Sequence, residues 1–260
     1  ITEANYMHSG RPKKLNFDIN KFSKYKEKII YKVIDKQPEN IIPIEKNDNE
    51  RTKEVKLINN SNKREHYQRE MIAECLGDAD NNDFIIISDV DEIPNLNEIN
   101  LKNIKKKLVC FKQKMFFYKF NLLYEKIAWY GSRACKKKYL KSPQWLRDTK
   151  HRKYPLWRFD ILFSNTKYNS IYHVENGGWH FTNIKTPEEI ENKFSNFLHH
   201  QEFEASGIQL KDIEEMVKTK KVIYDHSVDQ RGYKWKGSTK LKKVPISEMP
   251  DYLTKNSKKY

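Results

Sequence analysis

Asp89, Asp91 and Glu92 place three carboxylates within four positions, directly after the apolar run Phe84-Ile85-Ile86-Ile87 and directly before Ile93-Pro94. Residues of high strand propensity predict a buried strand over 83–87, and the proline bars its continuation as a central strand. Ligands of open α/β sheets gather beyond the carboxyl ends of the strands, so the cluster stands where a metal or a phosphorylated ligand binds. Asp89 and Asp91 are two apart and share one side of an extended chain, while Glu92 points elsewhere. A hard cation such as Mg²⁺ or Mn²⁺ takes an oxygen pair of this kind together with substrate phosphates. The competing reading is an acidic turn at the start of the next helix, where carboxylates are favoured.

A second focus is Gly177-Gly178-Trp179-His180-Phe181. The glycine pair admits close approach of backbone to a ligand, the indole offers a flat face to a sugar ring, and the histidine can ligate a metal or position a phosphate. A histidine beside aromatics is also a common hydrogen-bonded structural residue. His199-His200-Gln201-Glu202 lies near the end of a predicted helix and equally suits a charge complement to its C-terminus. The chain has no His-Glu-x-x-His, no glycine-rich phosphate loop and no Gly-x-Ser-x-Gly, which removes zinc-protease, P-loop and hydrolase-elbow readings.

The elements that must position these residues follow from periodicity and caps. Ile1 to Ala4 reads as the tail of a strand, Asn20 to Lys26 as a weak helix, and Ile29 to Ile34 as a strand. Gln37 to Glu54 reads as a loop. A helix over Asn62 to Leu76, capped by Asn62 and stopped by Gly77, precedes the acidic strand. Another is expected over Asn95 to Leu108, then two aromatic-rich strands over Val109 to Leu123. Trp129 to Asp160 is aromatic and basic without a readable pattern, and strands resume near Phe159 to Phe163 and Ile171 to Val174. Thr186-Pro187-Glu188-Glu189 opens a helix through a capping box, with Ile190, Phe194, Phe197 and Leu198 as its buried stripe. A helix over Leu210 to Thr219 precedes a polar tail.

A chain of 260 residues with 37% apolar content supports one large domain. The net charge of +15 suits an anionic partner, yet the lysine clusters are short and dispersed. Cys75, Cys110 and Cys135 have no metal-ligand spacing and read as buried thiols of a reducing compartment. No apolar run reaches the length of a membrane span. A cytoplasmic setting is therefore expected, or a Golgi-like lumen if an anchor precedes the chain.

Four stretches, taken in order, resemble glycosyltransferase family 17. They are Thr2-Glu3-Ala4 with His8-Ser9-Gly10; Glu65-x-x-Gln68-Arg69 leading to Ile87 through Pro94; Gly178-Trp179-His180-Phe181 with Lys193 and His200-Gln201-Glu202; and Arg231 with Pro250-x-Tyr252-Leu253. The resemblance implies a GT-A-like α/β fold: a single domain over 1–260, lacking its first strand and helix, with a mixed, mostly parallel central sheet flanked by helices. It implies a metal-dependent, inverting transfer of N-acetylglucosamine from a UDP-sugar donor to a glycan hydroxyl, with Mn²⁺ or Mg²⁺ as cofactor. By the same resemblance Asp91, Asp89 and His180 hold the metal, Asp89 also serving the ribose. Glu3 and Arg69 serve the nucleoside and the diphosphate, Arg69 having an ion pair with Glu65 as its alternative. Gly178 and Trp179 face substrate, Trp179 alternatively packing in the core. Glu92 and Glu202 are candidates for the base, with Asp160 not separated from them by spacing. Donor and glycan acceptor are the implied partners, without nucleic acid. A basic nucleic-acid-binding module and an inactive transferase-like scaffold are the rival readings.

Overall fold

In the computed structural model the described residues are 1–155, 157–196, 200–228 and 232–256. The strands are β1 (Thr2–Ala4), β2 (Lys32–Ile34), β3 (Phe84–Ile87), β4 (Glu92–Pro94), β5 (Leu108–Phe111), β6 (Gln113–Phe117), β7 (Leu122–Trp129), β8 (Arg133–Lys136), β9 (Ile171–Val174), β10 (Gly178–Thr182) and β11 (Lys242–Lys243). The α-helices are α1 (Glu50–Glu70), α2 (Pro143–Asp148), α3 (Pro187–Phe194), α4 (His200–Ala205), α5 (Leu210–Thr219) and α6 (Asp251–Lys255). Contacts divide the chain into two compact units, residues 1–79, 142–144 and 192–207, and residues 80–141, 145–191 and 208–260.

In the first unit β1 pairs in parallel with β2, and Ala4, Tyr6 and Ile34 form a small core against Tyr67 and Met71. α1 begins twelve residues before the expected cap, at Glu50 rather than Asn62, because Asn49 accepts the Thr52 N–H at 2.8 Å. Much of the expected loop over Gln37 to Glu54 therefore stands, with its last five residues in the helix. The buried residues of α1 are polar, Asn60, Ser61, Arg64 and Arg69, so its buried face carries no apolar stripe. Asn60 is satisfied by the backbone N–H and C=O of Ile42, each at 2.8 Å.

The second unit holds two sheets, β11-β7-β6-β10-β4 and β3-β8-β5-β9. The expected mixed, mostly parallel central sheet of a GT-A-like fold is overturned. The described strands form three separate sheets, and five of their eight pairings are antiparallel. The aromatic run folds back at Tyr118, in left-handed backbone at φ 61°, so β7 returns antiparallel along β6 and β8 enters antiparallel between β3 and β5. Apolar runs announce buried strands without their direction, and that is where the expectation failed.

Between the two sheets the chain passes five times, at residues 88–91, 95–107, 112, 130–132 and 175–177. β7/β8, β5/β6 and β9/β10 keep their neighbours across the break. β3, however, lies at the outer edge of β8 and β4 at the outer edge of β10, so the acidic turn carries the chain from one side to the other. Glycines stand where these breaks close on one another. A side chain at Gly177 would meet the Lys112 nitrogen at 2.4 Å, and one at Gly178, where φ is +117°, the Ile93 oxygen at 2.0 Å.

Other expectations are also corrected. Asn95 to Leu108 is not a helix but two 3₁₀ turns, Leu96–Glu98 and Leu101–Asn103, followed by the start of β5. The side chains of Asn95 and Asn100 accept backbone N–H groups two residues on, a local alternative to a helical ladder. Phe159 to Phe163 is not a strand but contains a 3₁₀ turn over Phe159–Ile161. α3 has its capping box, with the Glu189 N–H donating to Thr186 Oγ1 at 3.3 Å and the Thr186 N–H to Glu189 Oε2 at 2.9 Å. Ile190 and Phe194 are buried as expected, whereas Phe197 and Leu198 of the same stripe, with His199 and Arg231, lie outside the described residues.

Candidate active site

The acidic stretch is a tight turn closed by the Glu92 N–H donating to the Asp89 carbonyl at 3.0 Å. Val90 stands fully exposed at its tip, and the Asp91 carbonyl accepts the Phe181 N–H at 2.8 Å, fixing the turn against β10. Its two aspartates take different partners. Asp89 Oδ2 accepts from Arg147 Nη2 at 2.6 Å, whereas Asp91 Oδ2 lies 3.5 Å from Nε2 of His180.

His180 sits on β10 opposite Glu92 on β4. Its ring stacks on the Trp129 indole with centroids 4.5 Å apart and planes 15° from parallel, and its buried Nδ1 has no hydrogen-bond partner among the described residues. A divalent cation with bonds of about 2.1 Å spans two ligand atoms roughly 3 to 3.5 Å apart, so His180 Nε2 and Asp91 Oδ2 fit as two ligands of one ion. Among the described residues no group of three His, Cys, Asp or Glu side chains is placed to hold a metal.

Glu92 has no exposed side-chain surface. Its Oε1 accepts from Trp129 Nε1 at 2.7 Å and Arg147 Nη2 at 2.8 Å, and its Oε2 accepts from the Asp89 N–H at 3.2 Å and Ser132 Oγ at 3.3 Å. The network continues from Ser132 to Ser88 Oγ at 2.6 Å and to Gln113 Nε2 at 3.1 Å, satisfying polar groups at the line where both sheets break. Gly131 makes room for it, since a Cβ there would fall 1.7 Å from Glu92 Oε1.

The remaining sequence candidates fall elsewhere. Gly178 opens β10 in the left-handed region, against the Ile93 carbonyl. Trp179 packs on the cluster of Phe116, Phe181, Val244, Met249 and Leu253, and its Nε1 donates to the Glu248 carbonyl at 2.7 Å. Arg69, buried in the first unit, donates to Glu65 at 2.9 Å and to Gln144. Glu3, also there, accepts from Lys13 Nζ and the Asn16 N–H at 2.8 Å, from Tyr31 Oη at 2.9 Å and from the Phe17 N–H at 3.1 Å. Burial alone would push the Glu3 carboxyl up, but these donors together bring it down to about 2. Glu202 is exposed on α4 of the first unit, and Asp160 is exposed and paired with Arg158 and Lys167.

Arg147 and Trp129 carry much of this arrangement without having been singled out for it. Both come from the patternless basic and aromatic region, and their partners are far away in sequence, so no local spacing marks them. Asp225 was likewise read as part of a polar tail. It is buried, and although burial raises its pKa, hydrogen bonds from Ser227, Thr239 and Tyr124 hold it down at about 2.

The profile of glycosyltransferase family 17 matches residues 1–260. No curated protein and no solved structure matches the chain. The four stretches that resemble this family are thus joined by a match over the full length, and the chain belongs to glycosyltransferase family 17.

Proposed function

We propose that the chain moves a sugar from a nucleotide-sugar donor to a glycan hydroxyl with inversion, the donor being UDP-N-acetylglucosamine by family resemblance. The observation that carries the reading is the 3.5 Å approach of His180 Nε2 to Asp91 Oδ2 on a turn that projects an exposed tip. These two side chains are the ones to hold Mn²⁺ or Mg²⁺, which when bound stabilises charge developing on the departing nucleotide diphosphate.

The chain's own residues have distinct tasks in this reading. Trp129 fixes the plane of the His180 ring, and Glu92 fixes Trp129 and Arg147. Arg147 draws Asp89 to its own side of the turn, leaving Asp91 as the carboxylate for the cation. An inverting displacement needs a base for the acceptor proton. The oxygens of Glu92 are committed to hydrogen bonds from Trp129, Arg147, Ser132 and the Asp89 N–H, which argues against it as the base and leaves Glu202 and Asp160 as the candidates.

Thermal unfolding with UDP tests the reading. UDP raises the melting temperature more with Mn²⁺ present than with EDTA, because a bridging cation couples nucleotide binding to the folded state. Equal shifts would refute the cation-bridged site.

A further inference from the structure

Large apolar side chains meet water on one short stretch of the second unit. Trp157, Phe159, Leu162 and Phe163 are 74%, 74%, 77% and 89% exposed, while Ile161 alone of this group turns inward at 8%. Successive turns hold the backbone, with the Ile161 N–H donating to the Arg158 carbonyl at 3.3 Å, Leu162 to Phe159 at 3.0 Å and Ser164 to Ile161 at 3.2 Å. The stretch is therefore a built protrusion, and its one carboxylate, Asp160, is neutralised by Arg158 at 2.7 Å and Lys167 at 2.8 Å.

Basic groups surround the same element. A cleft of about 510 Å³ is lined by Arg147, Lys150, His151, Arg152 and Lys167, with Asp148 as the single carboxylate among its described lining residues. A second, of about 270 Å³, shares Arg152 and adds Lys106 and Lys153. Among the described residues the side chains of Lys150 and Arg152 have no ion-pair partner, so they face the clefts with their charge uncompensated. The Lys150 N–H is tied to the Thr166 carbonyl at 2.8 Å, which anchors the cleft to the base of the protrusion.

We propose that residues 157–163 and the adjoining basic cleft form a docking face for an anionic lipid bilayer, the four apolar side chains entering the interface and Lys150 and Arg152 meeting lipid phosphates. Four large apolar side chains exposed to between 74% and 89% on one short stretch enclose no small ligand, whereas a bilayer accepts them. Tryptophan, phenylalanine and leucine beside lysine and arginine match the two layers of a membrane surface, acyl boundary below and anionic headgroups above. None of the described helices is long and apolar enough to cross a membrane.

Co-sedimentation of the full chain with phosphatidylcholine vesicles, with and without phosphatidylserine, tests the proposal. The chain pellets with the phosphatidylserine vesicles, and less so as salt is raised. Phe159→Ser/Phe163→Ser and, separately, Lys150→Gln/Arg152→Gln each reduce the bound fraction about tenfold while the melting temperature stays unchanged, since these side chains are exposed. Tyr252→Ser, an exposed aromatic outside the face, leaves binding as it was. Failure to bind these vesicles, or equal binding by the double variants, overturns the proposal. Self-association abolished by Phe159→Ser/Phe163→Ser without vesicle binding overturns it too, and assigns the face to a second copy. No outcome depends on sugar transfer, so failure here leaves the transferase reading untouched.

Discussion

Nη2 of Arg147 lies 2.8 Å from Oε1 of Glu92, a carboxylate with no exposed surface. Removing one partner of a buried pair strands the other, at a cost of about 3–5 kcal/mol. Arg147→Met is expected to lose stability on that scale in urea unfolding. Glu92→Gln, which keeps the shape and most hydrogen bonds, costs about 1–3 kcal/mol. The double variant loses less than the sum; strict additivity would show that the two groups are not coupled.

Asp91 contributes to its turn chiefly through the backbone, its carbonyl holding the Phe181 N–H. Asp91→Ala should therefore abolish donor-dependent turnover while the melting temperature stays near that of the parent. Retained activity would remove Asp91 from the cation site.

Gly178→Ala forces a side chain into left-handed backbone and onto the Ile93 carbonyl, and Gly131→Ala drives one into Glu92. Each is expected to lower stability by about 2 kcal/mol or more. Gly77 has no atom within 4 Å of a built Cβ, so Gly77→Ala should stay within about 0.5 kcal/mol of the parent. Similar melting temperatures for all three would contradict the close packing at the sheet breaks.

Acid should loosen the fold through Glu3 and Asp225. Their folded pKa values, both about 2, lie below the ordinary 4.5 and 3.8, so their contributions are complete above those ordinary values and fade as pH falls toward 2. Glu3→Gln should weaken the protein at neutral pH and flatten its loss of stability between pH 4.5 and 2, as measured by unfolding at a series of pH values. An unchanged acid limb would mean that the bonds from Lys13, Asn16, Phe17 and Tyr31 persist in the unfolded chain or contribute nothing.

Local signals proved legible where a single short segment contains the whole cause. The Phe84–Ile87 strand, the Ile171–Val174 strand and the capping box of Thr186 and Glu189 all follow from neighbouring residues. Strand direction did not, because the return of β7 along β6 depends on one left-handed residue, Tyr118, whose side chain gives no warning of it. The start of α1 lay earlier than expected because the cap is Asn49, ahead of residues that show no apolar period. Of the candidate residues, Asp91 stood out by its setting after an apolar strand and His180 through the family resemblance, and the chain brings the two within 3.5 Å, whereas Arg147 and Trp129 acquire meaning only when they meet Glu92.

The stacking of Trp129 on His180 gives the site an optical voice. Indole emission is quenched by a protonated imidazole in van der Waals contact and changes again when that imidazole is ligated. With the other four tryptophans replaced by phenylalanine, the fluorescence of Trp129 becomes a continuous report on the state of the His180 ring, obtained without substrate, label or turnover.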